Sequence, residues 1–469
     1  MHTDTPVIPY SIVPGITWPA LSDTRAVNLL ALLQQFDQSQ WWPLELLRER
    51  QMQQAQRLLL HAGQSSPGYR ERLTRVGLPA DGRIAAEDWS RVPMLLRAEL
   101  QAGYAALRST ALPSDHGSVQ EDHTSGSTGR PVRFAKTALT DLFWRAFTLR
   151  DHLWHGRDFT QRLAVIRACD AGQALPPDGR HYSGWGGATD GIYPTGPASL
   201  LNIETDIEQQ FDWLLRQDAD YLLTYPTNLR ALVQLSAQRG VRPTRLREVR
   251  TASESLDTDL RALMQSIWNV PLIDMYTTRE AGYIALQCPQ HAHYHVMAEG
   301  VLVEILNADN QACVPGEIGR VVVTVLHNFA LPLIRYEIGD YAEVGAPCPC
   351  GRGLPVLTRI LGRSRNMLTF PDGSRHWPRF GYSGFADIAP IRQLQLVQHS
   401  VEEIEARLVV DAALNVEQEV RFTAHLQTAL GHPFRIRFTY LDSIPRSANG
   451  KYEDVLSLID VDSVMGNTG

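Results

Sequence analysis

The sequence predicts an α/β fold with a large N-terminal domain of layered α/β sheets, a small β-rich subdomain and a small α+β C-terminal domain. Between residues 162 and 268, short apolar strands alternate with helical segments, which is typical of layers around a largely parallel sheet. From Val301 onward, β-forming residues dominate. After Gly362-Arg363 the chain has a mixed pattern of its own. We therefore divide it into residues 1–363 and 364–469.

The individual elements follow in chain order. The segment from Leu44 is rich in strong helix formers and predicts a helix. The segments that begin at Tyr221 and Val249 each predict a strand, a turn and a helix, because a short apolar run precedes residues at helical spacing. Strands from Val301 and Gly319 predict the smaller sheet or barrel. Elements predicted for the last part are strands from Gln393, Ile404 and Phe434 and a helix from about Glu417 to Leu430.

Composition excludes several classes of partner and location. The 469 residues carry a net charge of −7, with a sequence pI of about 6.1, so neither nucleic acid nor an anionic membrane is an expected partner. Five cysteines, unevenly spread, do not form a disulfide framework and favour a reducing compartment. Neither a leader with a basic start and an apolar core nor a bilayer-length apolar run is evident. We expect a cytoplasmic protein.

One short stretch is well suited to binding an anion. It is Thr124-Ser125-Gly126-Ser127-Thr128-Gly129-Arg130-Pro131. Small residues leave the backbone N–H groups free to close around a polyphosphate, and the hydroxyl groups add further donors. The alternative is an ordinary solvated turn. The stretch lacks the spacing of a P-loop NTPase, and the helical pattern that begins at Leu139 follows it closely.

A second motif combines an aromatic ring with a carboxylate. Tyr276 and Glu280 follow an apolar, strand-like stretch and are separated by Thr277-Thr278-Arg279. An aromatic ring can stack on a nucleobase, and a carboxylate close to a polyphosphate normally acts through Mg²⁺. Alone, this motif would be better explained by a strand end that carries surface charge.

Five motifs in sequence order resemble those of the adenylate-forming superfamily. They are Thr124–Pro131 for T-S-G-S-T-G-x-P, Tyr276–Glu280 for Y-G-x-T-E, Tyr336–Asp340 for Y-R-T-G-D, Ile360–Arg363 for the hinge region, and Pro445–Lys451 for P-R-T-x-S-G-K. The entry region, with Ser66-Pro67 and Val92-Pro93, extends the likeness toward the N-terminus. In its details the chain resembles the phenylacetate–CoA ligase-like branch.

The resemblance implies roles for individual residues. The phosphates would be bound by Thr124, Ser125, Gly126, Ser127, Thr128 and Gly129. Ser253 and Glu254 would line the adenine, and Tyr276 would stack on it. Asp340 would accept hydrogen bonds from the ribose diol, and Arg363 would contact the ribose or a phosphate. Glu280 would hold Mg²⁺, and Arg279 would contact the α-phosphate or the substrate carboxylate. A mobile C-terminal domain would deliver Lys451, whose point charge stabilises charge that develops during adenylate formation.

Three positions depart from the superfamily pattern. The lysine that often follows the phosphate loop is Val132, which the branch also tends to show. Arg279 stands where the superfamily has Thr. At the hinge, where an acidic residue is usual, the chain has Arg365 and Asn366. The resemblance therefore leaves the hinge residue undefined.

The resemblance also implies a reaction and leaves its partners partly open. ATP would activate a small, aromatic or other organic acid as acyl-AMP, and the thiol of coenzyme A or an amine would accept the acyl group. Candidates for the acid pocket are Tyr182, Trp185, Gly186 and Tyr225, although aromatic residues are more often core. A nucleotide-binding protein without catalysis is the alternative from another class. The oligomeric state stays open, with a homodimer as one option.

A separate group of residues has metal-ligand spacing. Cys288 and His291 form one pair and Cys348 and Cys350 another, which suits a closed tetrahedral zinc site. His293 and His295 compete for the histidine position. Unliganded thiols in strand-end turns are the alternative of equal weight.

Overall fold

A computed structural model describes residues 9–124, 131–256, 258–363, 366–378, 385, 388–389, 391–446 and 452–459. Among these residues, no helix combines the length and the apolar character that crossing a membrane requires.

The α-helices lie mostly in the first two thirds of the chain. Their bounds are α1 Thr24–Ser39, α2 Leu44–Ser65, α3 Pro67–Arg75, α4 Arg97–Leu107, α5 Ala138–Trp154, α6 Ile207–Gln217, α7 Pro226–Arg239, α8 Thr258–Ile267 and α9 Val416–Leu430. Local sequence explains their ends. The Asp23 carboxylate accepts from the Ala26 N–H at the start of α1, and Gly431 ends α9 in the left-handed conformation, which glycine adopts without steric cost.

The strands follow the helices at short intervals. Their bounds are β1 Val119–His123, β2 Arg133–Thr137, β3 Leu163–Arg167, β4 Arg180–Tyr182, β5 Ala198–Asn202, β6 Tyr221–Thr224, β7 Glu248–Ala252, β8 Leu272–Thr278, β9 Gly282–Gln287, β10 Tyr294–Val296, β11 Val301–Leu306, β12 Ile318–Val325, β13 Tyr336–Val344, β14 Val356–Arg363, β15 Leu368–Thr369, β16 Arg375–His376, β17 Ile391–Gln398, β18 Glu403–Val410, β19 Arg435–Tyr440 and β20 Val455–Ser457.

A twelve-stranded sheet organises the N-terminal part, in the order β11-β12-β13-β14-β10-β9-β8-β7-β6-β3-β5-β4. Its neighbours β5, β3, β6, β7 and β8 are parallel. Helices α6, α7 and α8 connect strands of this parallel block, and Phe211 and Leu214, three residues apart on one face of α6, are buried in its core. The predicted α/β class is confirmed.

The β-rich segment after Val301 does not form the separate sheet or barrel that its pattern predicts. Strands β11 to β14 continue the large sheet through β10, in which Tyr294 pairs with Gln287 of β9 on one side and with Leu357 of β14 on the other. The composition of the strands could not predict this single continuous sheet, because one short strand, β10, joins β14 to β9. The consequence is that β13 and β14 come close to the parallel block.

The last part of the chain has a sheet and a core of its own. Strands β19, β18, β17 and β20 form a four-stranded sheet in that order. Helix α9 contributes Phe422 and Leu426 to a core that also contains Leu394 and Leu368. This organisation supports 364–469 as a proposed domain, with its mixed α+β pattern.

Candidate active site

A cavity of about 1370 Å³ lies between the large sheet and the last part of the chain. Its wall includes the carboxyl ends of β7 and β8, parts of β13 and β14, and residues from 366–378 and 452–455. The carboxyl ends of parallel strands are where α/β proteins usually bind ligands, because loops and helix starts meet there. The cavity is therefore the candidate active site.

The structure gathers the described candidates for nucleotide binding and catalysis around this cavity. Its lining includes Thr124, Ser253, Glu254, Tyr276, Arg279, Glu280, Asp340 and Arg363. The remaining candidates lie outside the described residues, namely Ser125, Gly126, Ser127, Thr128, Gly129 and Lys451. Residues that flank the first of these gaps pair with each other, since the Thr124 N–H donates to the Val132 carbonyl at 2.8 Å. The predicted phosphate loop thus connects the paired strands β1 and β2.

Tyr276 and Asp340 are held together across the cavity. The Tyr276 hydroxyl donates to Oδ2 of Asp340 at 2.8 Å, and Arg363 Nε lies 3.7 Å from the other carboxylate oxygen. Register explains this geometry because Asp340 on β13 pairs directly with Arg363 on β14. Burial raises the pKa of Tyr276 well above its ordinary value, and the Asp340 carboxylate adds to the rise, so the phenol remains a hydrogen-bond donor.

Gly362 on β14 comes close to the Ser255 side chain at the cavity wall. Gly362 has a φ of +83°, and a Cβ there would lie 2.5 Å from Ser255 Oγ. Glycine adopts this positive φ without strain, and any larger residue would also require the Ser255 side chain to turn away.

Glu280 has a cationic partner that the sequence did not reveal. Its side chain is 7% exposed, and Arg97 Nη1 lies 3.7 Å from Oε1. The same guanidinium donates through Nη2 to Thr124 Oγ1 at 3.2 Å. Arg97 is the first residue of α4, where the helix dipole disfavours a cation, and this unfavourable position is the signal that could have identified it. A phosphate group near Thr124 would meet this positive charge.

Arg279 points toward β1. Its Nη2 lies 2.8 Å from Asp122 Oδ2, and both side chains are about half exposed. Since β1 leads into the predicted phosphate loop, this pair links the end of β8 to the start of that loop. The guanidinium remains at the cavity lining, within the region expected to receive the α-phosphate.

The proposed acid-binding residues lie elsewhere. Tyr182, Trp185, Gly186 and Tyr225, all described, are not among the residues that line the cavity. Trp185 donates to the Gln161 carbonyl at 2.9 Å and packs edge-on against Phe159. Tyr182 is exposed on β4 at the sheet edge. Sequence could not distinguish a pocket aromatic from a packed or surface one, because both occur in the same local patterns.

A compact group of sulfur and nitrogen atoms lies where β9 ends and β10 begins. Cys288, His295, Cys348 and Cys350 each offer a ligand atom, and these atoms lie within 4.8 Å of one another. The Sγ atoms of Cys288 and Cys348 are 3.8 Å apart, close to the separation of about 3.8 Å between sulfurs on a tetrahedral zinc with 2.3 Å bonds.

The histidine in this group differs from the predicted one. His295 takes the place expected of His291, which instead stacks on His293. The reason is the position of His295 on β10, where it pairs with Val356 of β14, which packs with Cys348. Spacing along the chain could not select among three histidines in one short segment. His293 Nε2 lies 2.9 Å from Cys348 Sγ and is a further neighbour.

Known proteins resemble both the chain and its fold. The CapK C-terminal domain family matches residues 384–457. A phenylacetate–coenzyme A ligase of Thermus thermophilus is 26% identical over 343 residues, which cover 70% of this chain and 72% of the relative.

Two solved structures of 2-hydroxyisobutyryl-CoA ligase, each in a different state, also resemble this chain. The postadenylation state with an acyl-AMP has a TM-score of 0.69 at 17% identity. The thioesterification state with 2-HIB-AMP and CoA has a TM-score of 0.58 at 18% identity. Both alignments cover 92% of this chain and 93% of the ligase.

The shared fold, the sequence relative and the ordered motifs define a class: the chain is an adenylate-forming ligase. Within that class, its sequence is similar to the phenylacetate–CoA ligases, including those of Pseudomonas putida and Aromatoleum evansii at 24% identity each.

Proposed function

We propose that this protein activates a small carboxylic acid with ATP and transfers the acyl group to the thiol of coenzyme A. The observation that carries the proposal is the cavity that brings Tyr276, Glu280, Asp340 and Arg363 together from three motifs distant in sequence. A ring, a carboxylate for a ribose diol and a carboxylate for a metal ion are the groups that bound ATP requires. The phenylacetate specificity named for the relatives favours an aromatic acid.

The proposed reaction has two steps. In the first, a carboxylate oxygen of the acid attacks the α-phosphorus of ATP, the bond from the α-phosphorus to the bridging oxygen breaks, and pyrophosphate leaves. In the second, the thiol sulfur attacks the acyl carbon, the bond to the AMP oxygen breaks, and the thiol proton passes to solvent. Lys451 would stabilise the charge that develops in the first step.

The residues around Glu280 suit Mg·ATP. The buried Glu280 carboxylate would hold Mg²⁺, which supplies charge neutralisation at the phosphates when bound. Arg97 would then be free to turn from Glu280 toward a phosphate oxygen, where a guanidinium can donate two hydrogen bonds. Tyr276 and Asp340 would hold the nucleoside, and Arg279 would meet the α-phosphate or the acid.

A screen tests this function directly. Aromatic and short aliphatic acids are incubated with ATP and Mg²⁺, and pyrophosphate release is measured with and without coenzyme A. We expect release with a subset of acids and formation of an acyl-CoA when coenzyme A is present. Product that forms only with an added amine would favour the amide-forming alternative. Binding of ATP without pyrophosphate release for any acid would favour the noncatalytic alternative.

Asp340→Ala should weaken ATP binding by about tenfold to a hundredfold. The ribose would lose its paired acceptor, and hydrogen bonds to a charged group contribute about 1.5–3 kcal/mol. Isothermal titration calorimetry with ATP measures the change. Asp309→Ala, which removes an exposed carboxylate in the turn after β11, is the matched control and should bind as the unaltered protein does. An unchanged Kd in Asp340→Ala would contradict the assignment of this motif.

We also propose that Cys288, His295, Cys348 and Cys350 hold a structural zinc ion. Three thiolates and one imidazole suit tetrahedral zinc, and His295 Nε2 lies 3.5 Å from Cys350 Sγ. Four protein ligands leave no open position for water, so the ion would stabilise structure. It would join the segment after β9 to the connection between β13 and β14. Because β13 and β14 form part of the cavity wall, the ion would help to fix that wall.

A further inference from the structure

The Glu254 carboxylate is engaged by residues from both parts of the chain. Its side chain is 5% exposed. From the N-terminal part, the Thr227 N–H and hydroxyl both donate to Oε2, at 3.0 and 2.8 Å. These bonds connect the segment after β7 to the first turn of α7. Glu254 also lines the cavity, so this network lies at the cavity wall.

The other carboxylate oxygen is bound by the C-terminal part. The Tyr452 N–H donates to Oε1 at 2.7 Å, and Arg446 Nη1 lies 3.7 Å from the same atom. Arg446 also donates to Thr227 Oγ1 at 3.1 Å. The Tyr452 nitrogen belongs to the peptide bond that follows Lys451, so Glu254 holds the backbone directly beside the lysine.

Tyr452 is firmly held within its own part of the chain. Its hydroxyl donates to the Leu394 carbonyl on β17 at 3.0 Å, and its ring packs with Val409 and Ile444. The contact with Glu254 therefore connects the N-terminal part to the whole four-stranded sheet, rather than to a loose end. A buried carboxylate that accepts several charged or polar donors holds its partners strongly.

The fold matches that of 2-hydroxyisobutyryl-CoA ligase with a TM-score of 0.69 in the postadenylation state and 0.58 in the thioesterification state, at equal coverage. Our assignment of the contact between Glu254 and Tyr452 to the first half-reaction follows the state with the higher score.

We propose that Glu254 is a positioning residue that holds the backbone at Tyr452, directly after Lys451, during adenylate formation and releases it for acyl transfer. This inference rests on the proposed function, because it assigns Lys451 to the first step. Misplacing a catalytic group by about 1 Å can lower a rate by about a hundredfold. Loss of the contact should therefore slow adenylate formation and leave transfer from a preformed adenylate intact.

Glu254→Gln tests the positioning role with little change in volume. Its amide nitrogen would face the donors of Thr227 or Tyr452, so at least one of these contacts should break. With an acid identified in the screen, we expect pyrophosphate release to fall about tenfold to a hundredfold. The rate of acyl transfer from synthetic acyl-AMP to coenzyme A should stay within twofold. Glu208→Gln, an exposed carboxylate on α6, is the matched control.

Hydrogen exchange provides a readout that needs no acid. In Glu254→Gln, exchange in peptides that cover Tyr452 should become at least tenfold faster, while the α6 peptide should exchange as in the unaltered protein. Unchanged exchange at Tyr452 would overturn the inference, as would equal losses in both half-reactions or faster exchange throughout. If the unaltered protein releases no pyrophosphate with any acid, the proposed function fails, and exchange at Tyr452 still decides whether Glu254 holds this segment.

Discussion

Lys451→Ala should lower the rate of adenylate formation by about 10²–10³ while ATP still binds. A preorganised cation that meets developing charge in a water-poor site typically contributes this much. ATP binding should survive because the described nucleoside candidates, Tyr276 and Asp340, lie on the large sheet rather than on the C-terminal part. Acid-dependent pyrophosphate exchange measures the rate, and calorimetry with ATP measures binding.

Two further variants make this result specific. Lys451→Arg keeps the charge but replaces a point cation with a planar guanidinium, so it should recover only part of the activity. Arg435→Ala removes an exposed cation from β19 of the same four-stranded sheet and should form adenylate normally. Adenylate formation at the parent rate in Lys451→Ala would refute the assignment of the lysine.

Replacing Cys348 and Cys350 together with serine should reduce bound zinc from one ion per chain to none. Serine is a poor ligand for zinc, and loss of two of four ligands leaves no closed tetrahedral site. Because binding free energy of a structural metal ion contributes to folding, we also expect a lower thermal unfolding temperature. Elemental analysis of protein purified without chelator measures the metal, and calorimetry measures the unfolding temperature.

The choice of histidine gives the zinc prediction a sharper form. His295→Ala should lose zinc, whereas His291→Ala should retain it, because only His295 belongs to the compact group of ligand atoms. Cys313→Ser is the control for general loss of a thiol, since Cys313 is not part of that group. Protein that contains no zinc, or that keeps zinc after loss of Cys348 and Cys350, would contradict the proposal.

Sequence by itself determined the class of the protein and the alternation of its strands and helices. The ordered motifs identified the adenylate-forming superfamily because each combines residue types that phosphate, ribose or metal binding needs, and chance rarely supplies five of them in order. Local patterns also located the parallel block. Apolar strands that alternate with helical segments, as at Tyr221 and Val249, are compatible with few folds other than a parallel sheet covered by helices.

Tertiary structure alone decided which residues meet. Strand β10 merges the predicted β-rich subdomain into the large sheet, and its register selects His295 over His291. Arg97 reaches Glu280 from a distant helix start, and Glu254 binds the segment that follows Lys451. Such contacts depend on strand register and packing between segments far apart in the chain, and residue type and local spacing do not encode these directly.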